Sequence, residues 1–337
     1  MTPAPERESD SRRSPLAWLV RFQSVLGLVV VFVGAILFSP TRDGEIIFLS
    51  GENLTNIVRA VSEIGIIAVG MTLVILVGGI DLSVGSVLSL AAVGSAVLLV
   101  EDQVPLVLAV VLVLAIGLGF GALQGMASTL LGIQAFIVTL AGLSIARGLA
   151  RLWAGGQAVP IAYGSGRGEA PVAFSLLGER TFNGIVPIPA LIFVAVAAGA
   201  MVFLRVSAFS RHVYAIGGNE KAARLSGVPV TRVKITVFAV CGLLAALAGI
   251  VHAGQLNQGS PNDGIGDELD VIAAVVIGGT ALSGGRGTVL GTVAGALLLG
   301  VLNNILGLNS VDSNVQLVIK GLVIVAAAAV QRFAPRT

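Results

Sequence analysis

The chain has 337 residues, 55% of them hydrophobic and only 11% charged, with a mean hydropathy of +0.98. A soluble domain carries roughly 25% charged residues, so this composition excludes one and marks an integral membrane protein. The formal net charge of +2 decides nothing, because in a membrane protein the placement of Lys and Arg matters more than their sum.

Residues 1–15 form a polar tail containing Pro, Ser and Arg, read as cytoplasmic and poorly ordered. From Leu16 to Phe38 the run is too long for a signal-peptide core and lacks a small-x-small cleavage site. It therefore reads as a retained first span, with a cleaved signal as the alternative. A span needs about 20 mainly apolar residues at 1.5 Å each. Further candidates are Ile57 to Val77, Leu82 to Val100, Val104 to Gly125, Ala135 to Trp153, Ile188 to Leu204, Ile235 to Gly254, Leu269 to Leu282, Thr288 to Leu306, and Val315 to Val330. The eighth is short, which predicts a tilted, broken or re-entrant segment. The fold expected is all-α: a polytopic membrane protein of about ten transmembrane helices, one transmembrane domain over residues 16–331, and a short tail at 332–337.

Charge placement sets the orientation. With Arg7, Arg12 and Arg13 in the cytoplasm, alternate loops put residues 205–234, Arg286, Arg332 and Arg336 inside. Asp43, Glu45, Glu52, Glu101, Asp102, the loop 154–187, Asp263, Asp267, Glu268 and Asp312 fall outside. Ten spans with both termini cytoplasmic satisfy the bias, whereas nine or eleven would misplace the basic island or the basic C-terminus. The Gly-, Pro- and Ser-rich loop 154–187 is open to three readings: a lid, a docking surface or a passive ordered loop.

An internal duplication is visible. Gly78-Gly79-Ile80-Asp81-Leu82-Ser83-Val84-Gly85 is echoed by Gly278-Gly279-Thr280-Ala281-Leu282-Ser283-Gly284-Gly285, each between two apolar spans, with two coincidental turns in a Gly-rich chain as the other reading. Duplicated halves are a common transporter plan, with the path at the repeat interface. In the first copy Asp81 can cap the following helix by accepting from the amides of Ser83 or Val84, or can line a water-filled path. The second copy, GGTALSGGRGTVLG, lacks the Gly-Lys-Ser/Thr of a P-loop and follows no soluble strand, so it binds no nucleotide. Gly287, Gly291 and Gly295, like Gly117, Gly121 and Gly125, recur every four residues and let another helix approach closely.

Charges inside spans are expensive and need partners. Arg59 and Glu63 stand at i and i+4 and are expected to pair; Gln316 with Lys320, and Arg147 with Arg151, repeat the spacing. If their helices converge, they ring an exterior-facing cavity. The candidate translocation path is Asp81, Ser83, Gln134, Phe136, Thr139, Asn303, Asn304, Gln316 and Lys320, with Gln124 a further polar candidate. For the uncharged members, plain interhelical hydrogen bonding is the other reading. His212 and His252 show no partner pattern and carry no assigned chemistry. The lone cysteine, Cys241, lies in the apolar run VFAVCGLLAALAGI and reads as a small core residue, leaving no disulfide framework or Cys/His metal cluster.

The stretch from Arg205 to Lys234 is the polar island of the back half, with Arg205, Arg211, Lys221, Arg224, Arg232 and Lys234 against the single acid Glu220. Asn219 can cap a short helix from Glu220 to Ser226, stopped by Gly227. Motifs of hydrolytic enzymes (HExxH, GxSxG) are missing from the sequence, and no cofactor is expected. Nor does the sequence carry an energy source, so active transport would require a separate ATPase.

Four blocks in order, GMTLVILVGGIDLSVGSVLSL, QAFIVTLAGLSIARG, YAIGGNEKAARLSGV and ELDVIAAVVIGGTALSGGRGTVLGTVAGALLLGVLNN, resemble the ribose/xylose/arabinose type of bacterial ABC sugar-importer permease, the branch related to branched-chain amino-acid permeases. The resemblance runs from about Asn53 to the C-terminus, with one departure: Ala135 stands where relatives often have Pro before Phe-Ile. It implies a multi-pass protein of the bacterial inner membrane with a second permease subunit, a cytoplasmic ABC ATPase, an extracytoplasmic sugar-binding protein and a small sugar as cargo, and no nucleic-acid partner. It also implies that Gly218, Asn219, Glu220, Lys221, Ala222, Ala223, Arg224 and Gly227 form the segment that docks on the ATPase. An amino acid, a nucleoside or a signalling furanose remains an alternative cargo, and an ion-coupled secondary transporter an alternative class.

Overall fold

The structure, a computed structural model, describes residues 23–181 and 186–333. The tail 1–15, the start of the first predicted span at 16–22 and residues 334–337 lie outside these, and with them Arg7, Arg12, Arg13 and Arg336. Thirteen helices account for most of the described chain, beside three antiparallel pairs of two-residue strands.

In chain order the helices are α1 (Gln23–Leu37), α2 (Gly51–Leu76), α3 (Val84–Ala96, continued by a π-helical turn Val97–Glu101), α4 (Leu106–Leu130) and α5 (Ala135–Trp153). They continue with α6 (Val172–Ser175), α7 (Ile188–Val206), α8 (Ala208–Gly218), α9 (Glu220–Leu225), α10 (Val230–Leu256), α11 (Asp267–Ile277), α12 (Val289–Leu308) and α13 (Ser313–Phe333). Strand β1 (Thr41–Arg42) pairs with β2 (Glu45–Ile46), β3 (Val159–Pro160) with β6 (Gln258–Gly259), and β4 (Arg180–Thr181) with β5 (Val186–Pro187).

Every predicted span has a helix at its place. Seven helices, α2, α3 with its π turn, α4, α5, α7, α10 and α12, are long and apolar enough to cross a membrane. Those seven are counted among the described residues, within which the apolar stretches of α1 and α13 run from Ser24 to Leu37 and from Ser313 to Ala326. The predicted fifth span coincides with α5 end to end.

Sequence composition decides which helices sit inside. In α3, VGSVLSLAAVGSA is small and apolar on every side, and all thirteen residues are buried. α10 lies against it and packs most extensively on α4, then on α3 and α2. The α4–α10 contact rests on the four-residue glycine stripe: Gly117 faces Gly242 and Ala246, Gly121 the backbone at Phe238, and Gly125 the backbone at Ile235. A side chain at any of the three would force the helices apart. By contrast α4, α5 and α7 leave most of their apolar surface uncovered, and Cys241 is a buried free thiol in α10.

The predicted irregularity of the eighth span has a clear origin. After α10 the chain turns at Asn257, pairs β6 with β3, and then runs back down the side of α3. Gly259 abuts Ala92, the Ser260 carbonyl accepts from Ser89 Oγ at 3.0 Å, and Gly264 abuts Gly85. Those contacts step from residue 92 to residue 85 of α3, a descent of about 10 Å at 1.5 Å per residue. α11 therefore starts inside the bundle, with Glu268 beside Gly85, and its 11 residues complete the distance to the far end.

The two Gly-Gly segments end their helices alike. Gly79 N donates to Val74 O at 2.9 Å after a left-handed Gly78, and Thr280 N to Val275 O at 3.2 Å after a left-handed Gly279. Both are helix stops of the Schellman kind, offset by one residue from the sequence match. Loop 154–187 is tied down: Ile161 N donates to Asn257 O at 2.8 Å, Tyr163 Oη to Asn257 Oδ1 at 2.9 Å, and Phe174 is buried.

Candidate functional site

At the basic end of the bundle, Ser207 caps α8 by accepting from Ser210 N, and Asn219 caps α9 by accepting from Ala222 N at 3.0 Å. Left-handed Gly227 and the bond from Val228 N to Ala223 O at 3.0 Å close α9 one residue before the predicted end. Glu220 is the anchor: one carboxylate oxygen accepts from Lys234 Nζ at 2.6 Å and the other from Arg224 at 3.2 Å. The hydrogen bond from Lys234 holds this carboxyl below its ordinary range. Ala223 turns into the bundle, while Gly218, Lys221, Ala222, Arg224 and Gly227 are exposed. Leu225 is 90% exposed, an isolated apolar knob on a basic surface that sequence signals alone do not single out.

One turn upstream, α8 meets both helix stops. Gly217 lies against the Leu76 carbonyl, at the end of α2, and against Gly285, in the turn after α11. Gly285 N donates to Leu76 O at 2.9 Å, and Tyr214 Oη to Gly287 O at 2.9 Å. The short helix α9 is thus joined through α8 to the ends of α2 and α11.

A second group lies buried beside the first Gly-Gly turn. Asp81 Oδ1 accepts from Ser83 N at 2.9 Å and from Ser83 Oγ at 2.6 Å. Gln124 Nε2 donates to Ser83 Oγ at 2.8 Å and Thr139 Oγ1 to Ile80 O at 3.0 Å. Asp81 thus closes an Asx-type turn on Ser83 just before α3, reinforced from α4 and α5. Gln134 and Phe136, at the start of α5, are exposed instead.

The acidic end corrects the expected pairing. Arg59 and Glu63 do not bond each other: Arg59 Nε donates to Gln255 Oε1 at 2.8 Å, and Glu63 contacts His252 Nδ1 at 2.7 Å. The second nitrogen of His252 lies 3.4 Å from Asp263, so a histidine first given no chemistry links α2 to the descending segment. Arg147 donates to Pro261 O at 2.7 Å and to Asp263 O, and Arg151 to Asn262 at 3.3 Å. Lys320 pairs with Asp270 at 2.7 Å, while Gln316 donates to Val311 O. Arg59, Glu63, Arg147, Arg151 and Lys320 thus all find partners within residues 252–270, where a broken helix leaves polar backbone inside the bundle for long side chains to satisfy, whereas Gln316 bonds locally to Val311. Asn304 exchanges hydrogen bonds with Asn53 at 2.7 and 3.0 Å. With Asn303 it lines a cavity of about 340 Å³ between α2, α11 and α12. The predicted path residues thus fall in three places, and no group of His, Cys, Asp or Glu suited to a metal occurs among the described residues.

Residues 53–328 match the family described as branched-chain amino acid transport system / permease component. The chain is 42% identical over 314 residues to the ribose import permease protein RbsC of Escherichia coli K12, spanning 93% of this chain and 94% of the relative. It is 40% identical over 310 residues to RbsC of Haemophilus influenzae, spanning 92% of each. Over 356 aligned positions it is 34% identical to the xylose transport system permease protein XylH of Escherichia coli K12, spanning 89% of this chain and 90% of the relative. A multi-pass bundle, a capped helix exposed at its basic end and similarity along nearly the whole chain agree: the protein belongs to the permease-component family of the branched-chain amino acid transport type.

Proposed function

We propose that this chain is the membrane permease subunit of an ABC importer for a monosaccharide, working by alternating access without covalent chemistry. The observation that carries the mechanism is the mechanical line from exposed α9, through Gly217 on α8, to Leu76 and Gly285 at the ends of α2 and α11. A separate cytoplasmic ATPase closes on α9, with Leu225 and the exposed face of Lys221 and Ala222 as its contact. The movement reaches the two helix stops because α8 bears on both. A second permease subunit covers the open apolar faces, and a sugar-binding protein delivers cargo at the acidic end. The relatives' names, ribose import permease and xylose transport permease, support a pentose as cargo.

Ten spans with both termini in the cytoplasm fit this reading: contacts at the basic end join segments expected inside, and those at the acidic end join segments expected outside. The paired helix stops support an internal duplication. ATP hydrolysis by the reconstituted permease–ATPase complex should rise when sugar-loaded binding protein is added, and Ala222→Asp should remove that rise. Hydrolysis indifferent to binding protein in the parent complex counts against the proposal.

A further inference from the structure

We infer that the turn between α11 and α12, residues 281–287, is a second contact for the ATPase, gripped together with α9. The inference rests on the permease reading above, which brings that partner to α9, and adds a surface from which it holds the α11–α12 junction directly. Area calls for such a surface. α9 has six residues, so it is about 9 Å long, and half the wall of such a helix covers about 200 Å². A stable interface takes about 800 Å² from each partner. The partner must therefore spread onto what adjoins α9, and the backbone that adjoins it is this turn: Gly285 lies against Gly217 and Gly218, the residues just before the cap Asn219.

The turn is firmly held. Ala281 N donates to Arg286 O and Gly284 N to Ala281 O, each at 2.9 Å, while Gly285 N donates to Leu76 O and Tyr214 Oη to Gly287 O. It also presents groups that a protein surface can recognise. Hydropathy counts Leu282 into the eighth span, but α11 ends at Ile277 and Leu282 stands beyond it, 44% exposed, beside the exposed Ser283 and Arg286. In the matching first turn Ser83 is buried, so this exposure is not a property of the motif. The Arg286 side chain pairs with no acid among the described residues, and with Lys221 it continues the basic surface around Leu225. A free guanidinium keeps the turn out of the hydrocarbon, so lipid tails do not cover Leu282. The occupant that fits is a soluble protein face with an apolar seat for Leu282 and carboxylates for Arg286 and Lys221.

The test places the photo-crosslinking residue p-benzoylphenylalanine at position 282, and in a separate variant at position 221, of the full chain reconstituted with the ATPase in nanodiscs. Adducts formed on irradiation are identified by mass spectrometry. Position 282 should couple to the ATPase, as position 221 does. Leu282→Asp should cut the stimulation of ATP hydrolysis by sugar-loaded binding protein several-fold and Leu282→Met should keep it, with both melting close to the parent, which verifies folding. Adducts at position 282 only with lipid or with a second copy of this chain, or full stimulation in Leu282→Asp, while position 221 still couples to the ATPase, would overturn the second contact alone. No ATPase adduct at either position overturns the docking reading and this inference with it.

Discussion

Replacing Gly217 by Ala puts the connection between α9 and the two helix stops to a quantitative test. A β-carbon there would collide with the Leu76 carbonyl and the Gly285 amide and lie 2.8 Å from Gly285 Cα, all backbone atoms that cannot rotate away. Overpacking of this kind costs about 1–3 kcal/mol. Separating Gly285 N from Leu76 O, now 2.9 Å apart, adds about 1–3 kcal/mol if the carbonyl is left unpaired. The total, about 2–6 kcal/mol, exceeds the roughly 1.4 kcal/mol that shifts an equilibrium tenfold. The neighbouring Gly218 faces open space and Ala is tolerated there. Thermal unfolding of the two variants in nanodiscs should therefore differ, with Gly217→Ala clearly lowered and Gly218→Ala close to the parent. In the reconstituted complex Gly217→Ala should hydrolyse ATP while importing little sugar. A Gly217→Ala chain that melts and transports like the parent would refute the proposed line of force.

The remaining predictions concern the two ends. Leu225→Glu should leave stability within about 0.5 kcal/mol of the parent, as exposed substitutions do, while abolishing stimulation of the ATPase. Glu220 has its folded pKa lowered from 4.5 by Lys234 and Arg224, so its contribution is complete above 4.5 and is lost as pH falls through the folded value. Stability of the parent should accordingly fall in that acidic window by under about 1 kcal/mol more than that of Glu220→Gln, because the pair is partly exposed; identical pH profiles would contradict this. His252→Leu should cost about 3–5 kcal/mol in thermal unfolding, since it leaves two largely buried carboxylates, Glu63 and Asp263, without the group between them. A neutral effect would mean that the link between α2 and the descending segment carries no load.

The parts of this molecule that follow from local rules could be read in its sequence. Hydropathy placed ten helices, and α5 coincides with its prediction because left-handed Gly132 and Gly155 flank the mainly apolar stretch from Ala135 to Trp153. The capped helix after Asn219 needs only a side-chain acceptor at one end and Gly227 at the other, both local signals. The glycine stripe on α4 announced a close helix contact but not its partner, because spacing carries no information about which helix faces it.

What escaped the sequence depends on the chain folding back on itself. An i, i+4 spacing suggested that Arg59 would hold Glu63, yet each is claimed by α10, whose Gln255 and His252 come within 2.8 and 2.7 Å. The density of acids at Asp263, Asp267, Glu268 and Asp270, next to an undersized span, was the signal for a segment entering the bundle. Charge counting assigns it to an exterior loop, because such counting registers side and not depth. Leu225 was hidden for a different reason: one Leu at the end of a six-residue helix looks like core until its neighbours are placed.

The central claim is that ATP, acting through a partner docked at α9, drives sugar through this chain. Its most direct measurement is accumulation of radiolabelled D-ribose and D-xylose in proteoliposomes containing permease, ATPase and binding protein, with ATP on the ATPase side and no ion gradient. The account predicts accumulation above the outside concentration, dependent on ATP and abolished by Leu225→Glu. Accumulation driven by an ion gradient in vesicles containing this chain alone, without ATPase or ATP, would contradict it.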